Sequence, residues 1–211
     1  NRQSRPQAWA KNVVAIGGVR HFNTASLADD RWQSGASIGP AADGRYKPEL
    51  AHFYDSVLCP TSTNDTAYTT SFGGTSAATP ITAGHFGLFF QMWHKGVFGN
   101  PAHLTTVFNN RPKATLAKAV MINTANQYAL PAPFDITRHV QGWGSVSLNN
   151  VYGIRNNWCW INETDTLTNL QTATHKVLVG SGTPALRLTM VYTDPQGNPT
   201  RIQRPNNSVT T

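Results

Sequence analysis

Apolar residues dominate the segment from Ser76 to about His94, and on a helical projection they occupy nearly its whole circumference. A helix with an apolar surface on every side is normally covered by other parts of the fold. Gly96 and Gly99 follow this segment and favour its end there. The pattern therefore predicts a central helix over 76–94 that is buried on all sides.

A second helix is predicted from Lys113 to about Asn126, where the apolar residues lie on one side. Upstream, the β-branched run "KNVVAIGGV" (11–19) is closed by two glycines and predicts a buried strand. Two further short strands are expected at 56–58 and 68–72. This part of the chain therefore combines helices with short strands.

The pattern changes after Tyr152, where helical periodicity disappears. Residues 141–152 close the preceding part and are expected to form a turn, a short strand and another turn. The runs "NWCWINET", "THKVLVGS" and "ALRLTMVYTD" then predict the start of an all-β module. Because three strands rarely form a complete domain, we expect the natural chain to continue beyond them. The predicted domains are 1–153 and 154–211.

Composition and charge argue against two classes of partner. The net charge is +7, but the basic residues are scattered with no run of five, so no nucleic-acid partner is expected. No segment approaches the roughly 18 apolar residues of a membrane span, so no membrane partner is expected either. Charged residues make up only 13% of a chain rich in Ser, Thr, Asn and Gly, which favours an extracellular protein.

The two cysteines, Cys59 and Cys159, lie far apart and lack the spacing of a metal site. Two interpretations stay open. One is a single disulfide that closes a long loop in an oxidising compartment, and the other is two separate buried thiols. The chain has no compact cluster of acidic residues that indicates a calcium site, so no metal ligand is assigned.

The candidate chemistry lies in "FGGTSAATP" (72–80), where two glycines and a threonine lead into Ser76. A nucleophilic serine needs a base, an accessible position and donors for the oxyanion. Gly73 and Gly74 allow close backbone approach, and at a helix start the N–H of Ser76 is unpaired and favours negative charge. Pro80 cannot donate to the carbonyl of Ser76, which leaves that carbonyl free. A serine here can equally be a simple helix cap.

The residues around this serine resemble the nucleophile motif of the subtilisin-like serine proteases, or subtilases. In that family a Gly-Thr-Ser is followed by small residues, a proline and later an Ala-Gly pair. Ser76 matches the nucleophile, and Gly74 and Thr75 match the residues that shape the oxyanion site. Pro80 matches the early-helix proline, and Ala83–Gly84 match the small pair further along.

Three other stretches resemble the family in the same order along the chain. "AKNVVAIGGV" (10–19) is similar to a buried strand, "SIGPAADGRYKPEL" (37–50) to a Ser-x-Gly-Pro…Lys-Pro-Asp loop, and "QGWGSVSL" (141–148) to the end of the catalytic domain. The tail resembles the jelly-roll domain of some secreted bacterial members. The resemblance implies an α/β fold: the C-terminal part of a subtilisin-like, three-layer catalytic domain with a parallel sheet, followed by an incomplete all-β sandwich.

The same resemblance implies a secreted serine endopeptidase that acts on proteins or peptides without an organic cofactor, with structural calcium common in the family. The family's triad runs Asp, His, Ser, and its first two members lie before the strand at 11–19, where the ten residues of this sequence include neither Asp nor His. His85 does not replace them, because nine residues along one helix place it roughly 13 Å from Ser76. Asn1 is a candidate for the family's oxyanion asparagine.

Two functions are therefore weighed. In the first, an N-terminal half of the catalytic domain, covalently continuous or a separate chain, supplies the missing histidine and aspartate, and this chain does not fold without it. In the second, the chain is a catalytically inactive pseudoprotease used for protein binding or assembly. The intact motif around Ser76 favours the first, since a binding module has no need of it.

Two departures from the family pattern carry expectations. Ala77 stands where the family often has Met, which removes a thioether that oxidants attack. Glu49 replaces an Asp, and "AHF" (51–53) replaces Ala-Pro-Gly, so the connection to the strand near Ser56 is expected to be built differently.

Overall fold

The computed structural model describes residues 6–102, 106, 108–129 and 136–193. This part of the chain starts with a 3-10 helix at Pro6–Trp9 and continues as a mixture of helices and short strands, as the hydrophobic pattern predicts. Its strands form one parallel and one antiparallel pair. The described chain therefore has an α/β fold.

The parallel pair supports the long helix of the molecule. Strand β1 (Ile16–Val19) pairs with β2 (Leu50–Phe53), and the last residues of the two strands, Val19 and Phe53, lie opposite each other. Three of the four residues of β1 are buried, which confirms the buried strand predicted within 11–19. Because the strands are parallel, the residues that follow them emerge at the same edge.

The antiparallel pair is a hairpin that leads into the long helix. It consists of β3 (Val57–Pro60) and β4 (Tyr68–Phe72) and is mostly exposed. These strands confirm the two short strands expected near 56–58 and at 68–72. The hairpin ends only two residues before the long helix begins, so it delivers the chain to the start of that helix.

Helix α1 (Thr75–His94) confirms the predicted helix, but it is not buried on all sides. One side packs on the parallel sheet and holds the buried residues of the helix, which are Ala77, Ala78, Thr82, Phe89 and Trp93. The opposite side is exposed and apolar, and we call it the exposed α1 face (Pro80, Ala83, Gly84, Gly87 and Leu88). The expectation fails because two strands cover only one side of a helix.

Helix α2 (Ala114–Asn123) confirms the second predicted helix and shares a core with the C-terminal half of α1. The centre of this core is aromatic and contains Phe89, Trp93, Phe98, Trp158 and Trp160. Trp93 and Trp160 have ring centroids 5.3 Å apart. The first residues after the predicted boundary at 153 therefore pack on the helices that precede it.

Residues 141–152 differ from the turn, strand and turn that the sequence predicts. Helix α3 (Arg138–Gln141) is followed by single β-bridges and then by helix α4 (Leu148–Gly153). Ser147 accounts for α4, because its side chain accepts a hydrogen bond from the N–H of Asn150 and caps the helix start.

The described part of the C-terminal segment, residues 154–193, contains no strand. Many of its apolar side chains are exposed, with Leu178 at 97% and Leu170 at 94% of their surface. A strand-forming run becomes a strand only when a neighbouring backbone pairs with it. The β-sandwich assigned to 154–211 stays a prediction, and its residues from 194 onward lie outside the described chain.

Cys59 and Cys159 are free thiols in the structure. Cys59 is half-buried in β3 and Cys159 is exposed. The long-loop disulfide is therefore not formed. Of the two interpretations, separate thiols are the better description, although neither thiol is buried as that interpretation expects.

A buried group of charges joins the loop before β2 to α2. Glu49 pairs with Lys47 and accepts a hydrogen bond from Lys118 Nζ at 3.0 Å. The second carboxylate oxygen of Glu49 accepts from the N–H of Ala15 at 2.7 Å, just before β1. Lys47 Nζ also donates to the carbonyl of Val13 at 3.0 Å. Burial lowers the pKa of Lys47, and the charge of Glu49 opposes that shift.

The stability of the fold is expected to decrease in mild acid because of His52 in β2. The N–H of Phe53 donates to His52 Nδ1 at 2.9 Å, and the ring of His85 lies 5.3 Å away. Burial lowers the pKa of His52 from 6.5 to about 4, and charges on His85 and His21 act in the same direction. The unfolded chain thus binds this proton more tightly, so stability is lost as the pH falls from 6.5 towards 4. The expected loss is about 3 kcal/mol.

Urea unfolding of the intact protein at several pH values between 7 and 4 measures this loss. The free energy of unfolding of the His52→Gln variant is expected to fall much less steeply with decreasing pH than that of the wild type, because glutamine does not titrate. His175→Gln, at an exposed histidine, serves as the matched control and should leave the slope unchanged. The same slope in wild-type and His52→Gln protein would contradict the assignment.

Candidate active site

Ser76 occupies the second position of α1, where its side chain is exposed. Gly74 caps the helix with φ +76°, a left-handed conformation that favours glycine. The carbonyl of Gly74 accepts from the N–H of Ala77 at 2.8 Å and so closes the first turn. The local sequence therefore presents an exposed hydroxyl at a helix start, as predicted.

The two glycines before the serine allow the backbone to pack closely. A Cβ on Gly73 would lie 2.8 Å from the carbonyl oxygen of Tyr54, which leaves no room for any other side chain. A Cβ on Gly74 would lie 3.6 Å from the carbonyl oxygen of Gly35. Gly73 is required by the close approach and Gly74 by its positive φ.

The first turn of α1 provides donors that can bind an anion. The N–H of Ser76 is one of the first helical N–H groups, which have no partner within the helix, and the helix dipole favours negative charge there. Thr75 is half-buried, and its carbonyl accepts from Thr79 Oγ1 at 2.7 Å. Pro80 has no N–H to offer the carbonyl of Ser76.

No hydrogen bond to the side chain of Ser76 is formed by any residue of the described chain. His85 instead bonds the carbonyl of Ile81 through Nδ1 at 2.9 Å, within its own helix, which agrees with its exclusion as the base. His103 and Asn1, the candidate oxyanion residue, lie outside the described residues. Among the described residues, the candidate site therefore consists of an exposed serine hydroxyl and the N–H groups of a helix start, without a base beside them.

The structure adds a histidine–aspartate pair that sequence reasoning missed. Nδ1 of His21 lies 2.7 Å from Oδ1 of Asp55, and the same oxygen accepts from the N–H of His21 at 2.9 Å. Burial raises the pKa of Asp55, but the hydrogen bonds and charge of His21 outweigh it and hold this pKa below its usual value. The two residues share the same offset, each two positions beyond the end of its strand at Val19 or Phe53, but this offset is recognisable only once β2 and its pairing with β1 are known.

Two further findings concern the described residues. They contain no group of three or more His, Cys, Asp or Glu side chains arranged to hold a metal ion. Of the helices in this part of the chain, none is long and apolar enough to cross a membrane.

Peroxide is not expected to inactivate this site by oxidising the residue after the serine. Ala77 is fully buried beside Ser76 and carries no sulfur, so no sulfoxide can form there. The Ala77→Met variant is expected to lose most of its activity in peroxide that leaves the wild-type protein active. Residual hydrolysis after timed exposure measures the difference, and a melting curve checks that the variant is folded. Peroxide inactivation of the wild type that tracks modification next to Ser76 would contradict this.

The described residues thus place an exposed serine at the start of a helix that packs on the parallel sheet of an α/β fold. The chain matches the model of the subtilase family over residues 3–144, and it therefore belongs to that family of serine peptidases. This confirms the family and the α/β fold that the motif around Ser76 implies.

The solved structure of the Clostridium Perfringens CspB protease is similar to this chain, with 19% sequence identity and a TM-score of 0.43. The match covers 70% of this chain and 27% of that chain, so this chain spans well under half of that protein. No curated protein matches the chain at a significant level.

Proposed function

We propose that this chain forms the nucleophile-bearing part of a secreted serine endopeptidase that cleaves proteins or peptides. Ser76 Oγ attacks the peptide carbonyl carbon while a histidine, oriented by an aspartate, takes its proton. The amine leaves with that proton, and water then releases the acyl group from Ser76. The observation that carries the proposal is the exposed hydroxyl of Ser76 in the first turn of α1, within a chain of the subtilase family.

The oxyanion of the tetrahedral intermediate is held by the N–H of Ser76 and by an asparagine side chain. The left-handed φ of Gly74 and the helical start at Thr75 support this role, because they place the N–H of Ser76 in the first turn of α1, where helical N–H groups have no partner within the helix. Fixed donors of this kind stabilise charge that develops in the transition state. The reaction requires no organic cofactor.

The histidine and the aspartate come from an N-terminal half of the catalytic domain, either continuous with this chain or a separate chain. Two open surfaces support such a partner. The exposed α1 face is apolar over residues 80–88, and β1 pairs on one side only within the described residues. An added parallel strand on β1 and a layer over α1 would satisfy the free backbone groups and cover the apolar face.

Covalent labelling of the intact protease with a fluorophosphonate, followed by peptide mapping, tests the proposal. The expected result is a single label on the peptide that contains Ser76. Ser76→Ala should abolish it, and Ser71→Ala, at another exposed serine of the same stretch, should leave it unchanged. An intact, folded protein without label would overturn the proposal and favour a pseudoprotease that binds or assembles with other proteins.

A further inference from the structure

Asp55 holds the loop that follows β1 by more than its contact with His21. Asp55 is 8% exposed, and its Oδ2 accepts a hydrogen bond from the N–H of Phe22 at 2.9 Å. Arg20 Nε lies 3.7 Å from the same oxygen. Both carboxylate oxygens therefore bind groups from consecutive residues of one loop.

The loop that Asp55 holds is strained. Phe22 and Asn23 have φ values of +52° and +58°, in the left-handed region that residues other than glycine rarely adopt. The guanidinium carbons of Arg20 and Arg31 lie 4.7 and 4.5 Å from the centroid of the Phe22 ring. Backbone strain of this kind persists only where the surroundings fix it, and it concentrates at functional sites. The hydrogen bond to Asp55 is one of the contacts that fix it here.

The backbone next to Asp55 supports the turn before the nucleophile. The carbonyl oxygen of Tyr54 occupies the space into which a Cβ of Gly73 would project, at 2.8 Å. The N–H of Tyr54 donates to the carbonyl of Val19 at 3.2 Å, which ties this backbone to the end of β1. Gly73 stands three residues before Ser76, so a shift of Tyr54 moves the turn that carries the nucleophile.

We infer that Asp55 is a positioning residue for Ser76, an inference that rests on the proposed function. The ionised carboxylate clamps the strained loop, the clamp fixes the carbonyl of Tyr54, and that carbonyl sets the place of the Gly73–Gly74 turn. Both oxygens are needed as acceptors. An asparagine at 55 would accept through one oxygen only and turn its NH₂ group towards an N–H of the loop.

The test compares Asp55→Asn, Gly73→Ala and the double variant in the intact protease, with kcat, KM and the rate of fluorophosphonate labelling at Ser76 as readouts. Asp55→Asn is expected to lower kcat by about 10- to 100-fold while KM changes by less than about twofold. Gly73→Ala should have a similar effect. The kcat of the double variant should be no lower than that of the less active single variant, because both changes act on one contact.

Asp30→Asn is the matched control. Asp30 is a fully buried carboxylate in the same connection between β1 and β2, but its partner is the hydroxyl of Tyr128, at 2.5 Å. It is expected to leave kcat unchanged when the protein is folded. His21→Gln, which removes the ring contact with Asp55, is a milder second variant with the same expected direction as Asp55→Asn.

Two results would overturn the inference while the proposed function stands. One is labelling of Ser76 at the wild-type rate in folded Asp55→Asn and His21→Gln proteins. The other is a double variant whose loss equals the product of the two single losses, as for independent sites. A wild-type protein that is not labelled at Ser76 would instead overturn the proposed function itself.

Discussion

Replacement of Ser76 by alanine is expected to lower kcat of the intact protease by about 10⁶-fold, the size of loss that follows removal of a triad nucleophile. Alanine keeps the N–H at this position and the left-handed Gly74 (φ +76°), so the change removes the attacking oxygen and little else. KM for a peptide substrate is expected to change by less than about threefold. Hydrolysis assays that determine kcat and KM separately provide the measurement.

Ser71 offers a matched control for this experiment. It is also exposed, lies five residues upstream in β4, and its Oγ lies 2.6 Å from Thr69 Oγ1. Ser71→Ala is expected to leave kcat within about twofold of the wild type, because the side chain makes only a local contact. If Ser76→Ala lost less than about tenfold, another group would have to be the nucleophile.

The local structure around Ser76 could be predicted from sequence because it depends on neighbouring residues. The cap at Gly74, the exposed Ser76 and the missing donor at Pro80 all depend on residues within one or two turns of the chain. The pair of His21 and Asp55 could not be predicted, because its members are 34 residues apart and meet only through the register of β1 and β2. The sequence predicts β1 but not β2, so neither the end of β2 nor the residues that lie opposite each other in the two strands could be known.

The elements of the fold also differ in how far the sequence predicts them, according to whether they depend on local or distant residues. Helix α1 could be predicted from its apolar residues, but its burial depends on what covers it, and the described strands, α2 and α4 leave the exposed α1 face uncovered. Helix α4 was missed because it is only six residues long and depends on the single cap at Ser147. In the segment 154–193, strand-forming residues are present without a described backbone that pairs with them.

Glu49 illustrates how a departure from the family pattern acquires a physical role. The sequence identifies it only as a glutamate in place of an aspartate. In the structure its carboxylate joins Lys47, Lys118 and the N–H of Ala15, so it connects the loop before β2, helix α2 and the start of β1. Glu49, Lys47 and Lys118 are all buried residues. The two ammonium groups have no other carboxylate partner among the described residues.

Glu49→Gln is therefore expected to lower the free energy of unfolding of the intact protein by about 3–5 kcal/mol, because it leaves two buried ammonium groups without a compensating charge. Urea unfolding at pH 7 measures the change. Glu163→Gln is the matched control, since Glu163 is exposed, accepts from Thr115 Oγ1 at 2.6 Å and lies 3.9 Å from Lys113 Nζ. An exposed pair of this kind contributes less than about 1 kcal/mol. Equal losses in the two variants would mean that water reaches the Glu49 cluster and screens its charges.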